Sequence, residues 1–373
     1  MLLAQQSGGS KVAPGNYDPR TQRWSAASSA GASAAYTGTR SQNLRGQSRV
    51  LVVTRRFDPH ADAVIDALDT LGIEALRINS EDLLSAYSFS WHSHACEGDA
   101  LTIADQFERR ASLPSGILSG YYRAPMRVTH HGDLRSSDAQ SFSSSEGDSF
   151  LESIYGLQGM RWISPPSLIR LAEAKLPQLQ LALSLGLRIP RTIVTNSPTE
   201  AHRFANSVDY SIASKSLTTP SVRRDDDVYD TYTCRLTRDE LEEQIESVRF
   251  APTLLQEYVP KSVEIRVTII GTEIFATEID SQVIEDAQID WRRADPFTIP
   301  HRSVSLPDTL ISILRRFLDH YGLSFGAIDL IRTPDDEYVF LENNPNGQWY
   351  WLEVLCGQPM AASMAKLLTR EIG

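Results

Sequence analysis

Phe325-Gly326-Ala327-Ile328-Asp329-Leu330, followed by Tyr338-Val339-Phe340-Leu341-Glu342-Asn343-Asn344-Pro345-Asn346-Gly347, is the stretch that says most about this chain. Thr333-Pro334-Asp335-Asp336-Glu337 between the two runs is a turn, so they pair as an antiparallel hairpin. Side chains two apart on a strand share a face, so Glu342 and Asn344 project together, and Asp329 on the partner strand can face them. Three hard oxygen donors suit Mg²⁺, which takes few protein ligands and completes its shell with water and phosphate oxygens. A polar hairpin face turned to water is the bland alternative. It fits a lone Asp better than this trio.

A magnesium cluster implies a phosphate compound, and phosphate wants cations. Lys175 lies on the helix that opens the middle of the chain, and Lys215 ends a short strand of small and apolar residues. Taken singly, each also reads as a Lys whose stem lies along the surface. Residues 263–270 alternate, setting Glu264, Arg266 and Thr268 opposite Ile265, Val267 and Ile269. That polar face either meets solvent or lines a cleft. Asp290-Trp291-Arg292-Arg293 adds two guanidiniums suited to bidentate phosphate or carboxylate binding.

The remaining pattern is α/β. Residues 49–54 form an apolar, β-branched run, the mark of a strand buried on both faces. A helical period over 61–71, a capping Gly72 and a second strand over 73–78 complete a βαβ unit with a parallel sheet. A weak strand is expected over 116–122, and the Ser- and Asp-rich segment 136–149 reads equally as a loop or as the start of a helix ending near 157. One helix is expected from 167 to 186, a strand over 191–195, a helix over 199–206 and a polar connection from 218 to 230. Thr237 and Glu240 have the capping-box spacing for a helix to about 248. Further strands are expected over 253–258, 264–270, 273–280, 326–332 and 338–343, with helices over 307–321 and 357–368.

Composition excludes several function classes. The 373 residues carry 47 acidic and 36 basic side chains, a net charge of −11 that argues against nucleic acid as a partner. Cys96, Cys234 and Cys356 are too few and scattered for a disulfide framework or a zinc site. No apolar run approaches bilayer-spanning length and the N-terminus lacks a secretory pattern, so no membrane partner and a cytoplasmic location are expected.

The ordered series Lys175, Lys215, Gln256-Glu257-Tyr258-Val259, Glu264-x-Arg266, Asp290-x-Arg292, Asp329 and Glu342-x-Asn344 resembles the ATP-grasp carboxylate–amine and carboxylate–hydroxyl ligases. Within that superfamily, Gln256-Glu257-Tyr258-Val259-Pro260-Lys261, Thr277-Glu278-Ile279-Asp280-Ser281-Gln282 and Asn344-Pro345-Asn346-Gly347-Gln348-Trp349 are similar to the microviridin-type (graspetide) peptide maturases. The resemblance runs from about Arg49 to the C-terminus. It implies an ATP-grasp fold, α+β in its C-terminal half, behind an N-terminal parallel-sheet α/β domain. The units would be a tail at 1–47, an N-terminal domain at 48–165, a central subdomain with a lid at 166–255 and a C-terminal subdomain at 256–373.

The resemblance also implies roles. Lys175 and Lys215 would hold ATP phosphates; Gln256, Glu257, Tyr258 and Val259 would form the adenine hinge, Tyr258 and Val259 through their backbone; and Glu264 would bind the ribose. Arg266 and Arg292 would steady the γ-phosphate and an acyl-phosphate, with Asp329, Glu342 and Asn344 on Mg²⁺. The expected glycine-rich lid is not matched, because residues 216–230 contain no Gly. Glu278, Asp280 and Gln282 alternate on one strand face and are candidates to contact substrate. The implied reaction activates Asp or Glu side chains of a ribosomally made precursor peptide as acyl-phosphates. Ser/Thr hydroxyls or Lys amines then displace phosphate to form macrocyclic esters or amides. The alternatives are a ligase adding free amino acids to a peptide or protein carboxylate, and a catalytically silent peptide-binding ATP-grasp protein. A homodimer is a family expectation.

Residues 1–47 are rich in Ser, Ala, Gly and Gln and hold a single acid, Asp18, yet they include Tyr17, Trp24 and Tyr36. The run Pro14-Gly15-Asn16-Tyr17-Asp18-Pro19 resembles the leader of precursor peptides that such maturases recognise. Two readings stand: a disordered extension, or a leader mimic within 12–39 that docks on its own enzyme.

Overall fold

The computed structural model describes residues 16–18, 23–25, 49–93, 101–107, 109–218, 221–224, 227–230 and 232–370. Most of the leader-like segment 12–39 lies outside these. Of it, Asn16–Asp18 and Arg23–Ser25 pair as short antiparallel strands.

β1 (Arg49–Thr54) runs through the middle of the N-terminal sheet, and its Val50, Leu51, Val52 and Val53 are fully buried. Asp58 then starts α1 (Pro59–Thr70) by accepting the His60 and Ala61 N–H groups on Oδ1, and Gly72 beyond its end takes φ +74°. β2 (Glu74–Asn79), β3 (Ile117–Tyr122) and β4 (Trp162–Ile163) complete a parallel sheet in the order β2-β1-β3-β4. An antiparallel trio that the sequence reading did not foresee, Tyr87–Trp91, Leu101–Asp105 and Arg110–Leu113, stands between β2 and β3 in the chain. The Ser-rich segment is helical, as α2 (Ser137–Tyr155). Its Ser149 and Ser153 hydroxyls donate to carbonyls four residues back, so those polar side chains are satisfied along the helix itself.

The single helix expected over 167–186 is two: α3 (Pro166–Ala172) and α4 (Lys175–Ser184). Pro177 explains the break. Its ring would strike the carbonyl of residue 173 in a continuous helix, whereas the first turn of a new helix tolerates it. The restart makes Lys175 the first residue of α4.

A four-stranded antiparallel sheet follows, built from β5 (Thr192–Thr195), β6 (Ile212–Lys215), β7 (Cys234–Leu236) and β8 (Thr253–Glu257) in the order β5-β8-β6-β7. α5 (Pro198–Ser207) and α6 (Arg238–Gln244) accompany it, the latter opened by the predicted Thr237–Glu240 capping box. The connection read as irregular and polar contains two paired strands, Ser221–Arg224 and Asp227–Asp230.

The C-terminal sheet is antiparallel and comprises β9 (Val263–Ile270), β10 (Glu273–Ile279), β11 (His301–Val304), β12 (Phe325–Arg332) and β13 (Tyr338–Asn344), ordered β11-β10-β9-β12-β13. α7 (Asp308–His320) packs Leu314, Phe317 and Leu318 on one face of it together with α3 and α4. The final helix expected over 357–368 is preceded by a separate one. α8 (Tyr350–Cys356) ends at Gly357, whose φ of +67° stops it, and α9 (Met360–Thr369) restarts after Pro359. Both return to the N-terminal sheet, where Leu352, Met364 and Leu368 share a core with Val50, Val64 and Tyr121. No helix among the described residues is long and apolar enough to cross a membrane.

Candidate active site

A cleft of about 1110 Å³ opens between the three sheets, and every residue singled out for phosphate, hinge, ribose or metal binding, Arg293 excepted, lines it. Its floor is the hairpin. Asp329 pairs in register with Arg266 on one side and Glu342 on the other, and cross-strand partners share a face. A register shift between Asp329 and Leu330 lies just beside this row. Asn344 Nδ2 donates to Asp329 Oδ2 at 2.9 Å and to Glu342 Oε1 at 3.5 Å, so both carboxylates stand within reach of one small cation. Among the described residues no three His, Cys, Asp or Glu side chains converge on a metal site. The donor set here is two carboxylates and a carboxamide, which fits Mg²⁺, an ion that keeps several of its waters.

Charge balance around the floor is tight. Arg266 is 7 % exposed and its Nε lies 2.8 Å from Asp329 Oδ1, a charge contact without hydrogen-bond alignment. Lys175 Nζ donates to Glu342 Oε2. Burial pushes the Asp329 carboxyl up, Arg266 opposes this, and the Glu342 charge adds to it. Burial penalises Glu342 as well, but Lys175 and Lys215 outweigh the penalty and hold its carboxyl down. Burial lowers the Lys215 ammonium, with Glu342 as the main opposing charge. Two like-charged carboxylates are thus held together by the cations expected to meet phosphate.

The hinge segment divides its roles. The Gln256 side chain is buried and donates to Thr192 Oγ1 at 3.0 Å, which fixes β8 against β5. Glu257 N–H donates to Arg191 O and Tyr258 N–H to Ser211 O, both at 2.8 Å. Tyr258 N–H is therefore engaged within the protein, whereas the Val259 N–H donates to no group among the described residues. Glu264, at the start of β9, accepts from Lys261 Nζ at 2.6 Å and from Ser281 Oγ at 3.0 Å.

Arg292 stands on the opposite wall in a bidentate pair with Asp290, Nε to Oδ1 at 2.9 Å and Nη2 to Oδ2 at 2.5 Å. Asp290 also accepts the Thr233 N–H at 2.9 Å, tying this wall to the segment that follows the two paired strands 221–224 and 227–230. Burial raises the Asp290 carboxyl, but these bonds more than reverse it and bring it down to about 2. The Arg292 guanidinium is also desolvated, which lowers it, and Asp290 raises it further than that.

One reading fails. Glu278, Asp280 and Gln282 do not line the cleft. Glu278 sits opposite Ile265, on the far face of β9 from Arg266, where it pairs with Arg302 and with Arg332 at 2.9 Å. The three do not share a strand face: β10 ends at Ile279, and Gln282 lies in the 3₁₀ turn Ser281–Val283, donating to Ser281 Oγ and Gln288 O.

The site also uses residues that carried no sequence signal. Gln178, 2 % exposed on α4, accepts the Asn343 N–H at 2.7 Å and donates to the Asn343 carbonyl at 2.9 Å, fixing the backbone between Glu342 and Asn344. Gly347 folds the following loop back onto the hairpin. A Cβ there would lie 2.6 Å from Ala327 Cβ and 2.9 Å from Asn344 Cβ. Only a turn signal, Asn-Pro-Asn-Gly, hinted at this loop.

No family model matches the chain. No curated protein matches it. Solved structures do. The macrocyclase MdnC of Microcystis aeruginosa MRC, bound with precursor peptide MdnA, is 28% identical, with 86% of this chain and 98% of that one covered at a TM-score of 0.75. A RiPP-associated ATP-grasp ligase of Chryseobacterium gregarium, in complex with ADP and a leader and core peptide, is 28% identical over 86% of this chain and 96% of that one, TM-score 0.80. The M. aeruginosa macrocyclase MdnB is also 28% identical, over 87% and 100%, TM-score 0.71. With its parallel N-terminal sheet, two antiparallel sheets and the cleft between them, the chain has the ATP-grasp fold in the form found in these RiPP macrocyclases and ligases.

Proposed function

We propose that the chain is an ATP-dependent ligase that closes macrocycles in a ribosomally made precursor peptide, joining Asp or Glu side chains to Ser/Thr hydroxyls or Lys amines. The observation that carries this reading is the convergence of Lys175, Lys215, Arg266, Arg292, Asp329, Glu342 and Asn344 in one cleft. The peptide enters the reading through the likeness to MdnC and the Chryseobacterium ligase, which are described with peptides bound.

ATP with Mg²⁺ supplies the phosphoryl group that makes a carboxylate electrophilic, and phosphate leaves when the ester or amide forms. The protein's part is binding, orientation and charge. Val259 offers its N–H to the adenine, Glu264 accepts from the ribose, and Lys175 and Lys215 neutralise phosphate oxygens. Asp329, Glu342 and Asn344 hold the metal, held in turn by Arg266 and Gln178. Arg292, oriented by Asp290, points a guanidinium at the charge that develops during transfer, and such fixed charges act more strongly in a cleft than in water. Residues 12–39 serve in this reading as a leader mimic attached to the enzyme, and covalent attachment raises their effective concentration.

The test is intact-mass analysis of a leader-bearing peptide with an acid- and hydroxyl-rich core, incubated with enzyme, ATP and Mg²⁺. Loss of one or more waters, abolished by Glu342→Gln, is expected. A mass gain on adding free amino acids would replace macrocyclisation with amino-acid ligation. Deleting residues 1–47 should make activity depend on added leader; unchanged leader-independent activity would sink the role of the tail.

A further inference from the structure

The N-terminal sheet brings a second cationic group to the cleft, one that the roles above leave unused. Its order β2-β1-β3-β4 changes direction between β1 and β3, and in open parallel sheets ligands bind in the crevice beyond the carboxyl ends of strands at such a point. The residue after β1 is Arg55 and the residue after β3 is Arg123, and both line the cleft.

Arg123 is 3 % exposed. Its Nη1 donates to the Asn346 carbonyl at 2.9 Å and to Asn346 Oδ1 at 3.2 Å, on the loop that follows Asn344. Its Nε is buried without a hydrogen bond, 3.6 Å from Asp58 Oδ2. Arg55 Nε is buried without a hydrogen bond as well, and its guanidinium pairs with no acid among the described residues.

Acids nearby are already engaged. Asp58 is fully buried and accepts the His60 and Ala61 N–H groups at the start of α1 and the Thr54 hydroxyl at 3.0 Å. Asp62 pairs with Arg77 and Asp82 with Arg56. Glu173 lines the cleft but is exposed and faces Arg170, which Glu152 grips. His60 adds no charge: it accepts the Trp349 and Tyr350 N–H groups on Nδ1, and burial, then Arg123 and Arg55, lower its pKa. Arg123 therefore meets one carboxylate whose oxygens are bonded elsewhere, and Arg55 meets none among the described residues. Burying unpaired charge is costly, and a planar fork is matched best by a carboxylate.

We propose that Arg55 and Arg123 form a carboxylate-binding subsite that seats an acidic side chain of the peptide between the N-terminal sheet and the loop after Asn344. The inference rests on the peptide reading above and adds a recognition site on the wall opposite the metal floor.

The probe is N-acetylglutamate methylamide, with N-acetylglutamine methylamide as its neutral counterpart. Each is titrated by NMR into the full-length protein holding Mg²⁺ and AMPPNP. The wild type should prefer the glutamate probe by about tenfold or more, as a charge-assisted bidentate contact requires. Arg55→Met should erase that preference and Arg55→Lys retain part of it, with AMPPNP affinity within about twofold of wild type. Arg55→Met should melt with the wild type, because the side chain pairs with no acid among the described residues. Equal binding of the two probes, no binding of the glutamate probe, an Arg55→Met protein that keeps the preference, or inorganic phosphate binding more tightly than the carboxylate would each overturn the subsite. Failure to bind AMPPNP would instead count against the ligase reading, because discrimination between the two probes does not require nucleotide.

Discussion

The floor and the N-terminal wall of the cleft are both rich in charge, and they keep it differently. On the floor, Arg266, Asp329 and Glu342 come from neighbouring strands in register, α4 adds Lys175, and each acid meets a cation: Asp329 with Arg266, Glu342 with Lys175. On the wall, Arg55 and Arg123 are each the first residue after a strand; Arg123 approaches Asp58, and Arg55 pairs with no acid among the described residues. The floor is internally compensated, as befits a place that must hold its shape before a doubly charged ion and phosphates arrive. The wall carries an uncompensated positive charge, which suits a place completed from outside. The difference separates a site built to position from a site built to recognise.

The largest expected effect strikes the floor. Glu342→Gln keeps the shape but removes the charge shared by Lys175 and Lys215, and ATP turnover with peptide should fall by at least about 1000-fold while circular dichroism stays native. A fall of less than about tenfold would mean that the floor is structural, and the comparison would break. Gln178→Leu comes next. It strips both hydrogen bonds from the Asn343 backbone in a buried place, so chemical denaturation should show a loss of about 2–4 kcal/mol.

Such a role for Gln178 illustrates what can and cannot be read from a chain. The hairpin was legible because a two-residue period is local: Asp329, Glu342 and Asn344 meet through one turn and one register. Lys175 and Lys215 were legible only as members of an ordered series. Gln178, Arg55 and Arg123 looked like any polar residue in a helix or after a strand, because their meaning comes from partners more than 150 residues away or from a neighbouring sheet. Glu278 shows the converse failure. Its place on a strand was read correctly, but the alternation was carried past Ile279, where the strand ends, and the face was fixed by its pairing with Ile265, which no local pattern contains. The break between α3 and α4 was written in Pro177 and was outweighed in the reading by the leucine period around it.

Smaller effects sharpen the contrast. Gly347→Ala forces a methyl against Ala327 and Asn344, and thermal or chemical unfolding should register a loss of about 1–3 kcal/mol. Pairing it with Ala327→Gly should recover part of that loss; no recovery would place the strain elsewhere. The smallest effect is a matter of pH. Asp290 falls from an ordinary 3.8 to about 2 in the folded protein, so its pairing contributes stability that is complete above about pH 4 and fades as pH drops toward 2. The contribution is about 2 kcal/mol. Asp290→Asn should flatten the acid limb of the stability curve in that window, and an unchanged limb would show that Arg292 is oriented by something else.

The return of α9 to the first sheet has a consequence for how the chain is made. Ser119 Oγ on β3 donates to Leu368 O at 2.7 Å, and Arg161 Nη1 donates to Arg370 O at 2.8 Å, so the last helix completes the packing of the earliest strands. During synthesis those strands leave the ribosome more than 200 residues before their covering helix does. The N-terminal wall therefore stays open until α9 has been made, and the cleft cannot take shape on a nascent chain that lacks this helix.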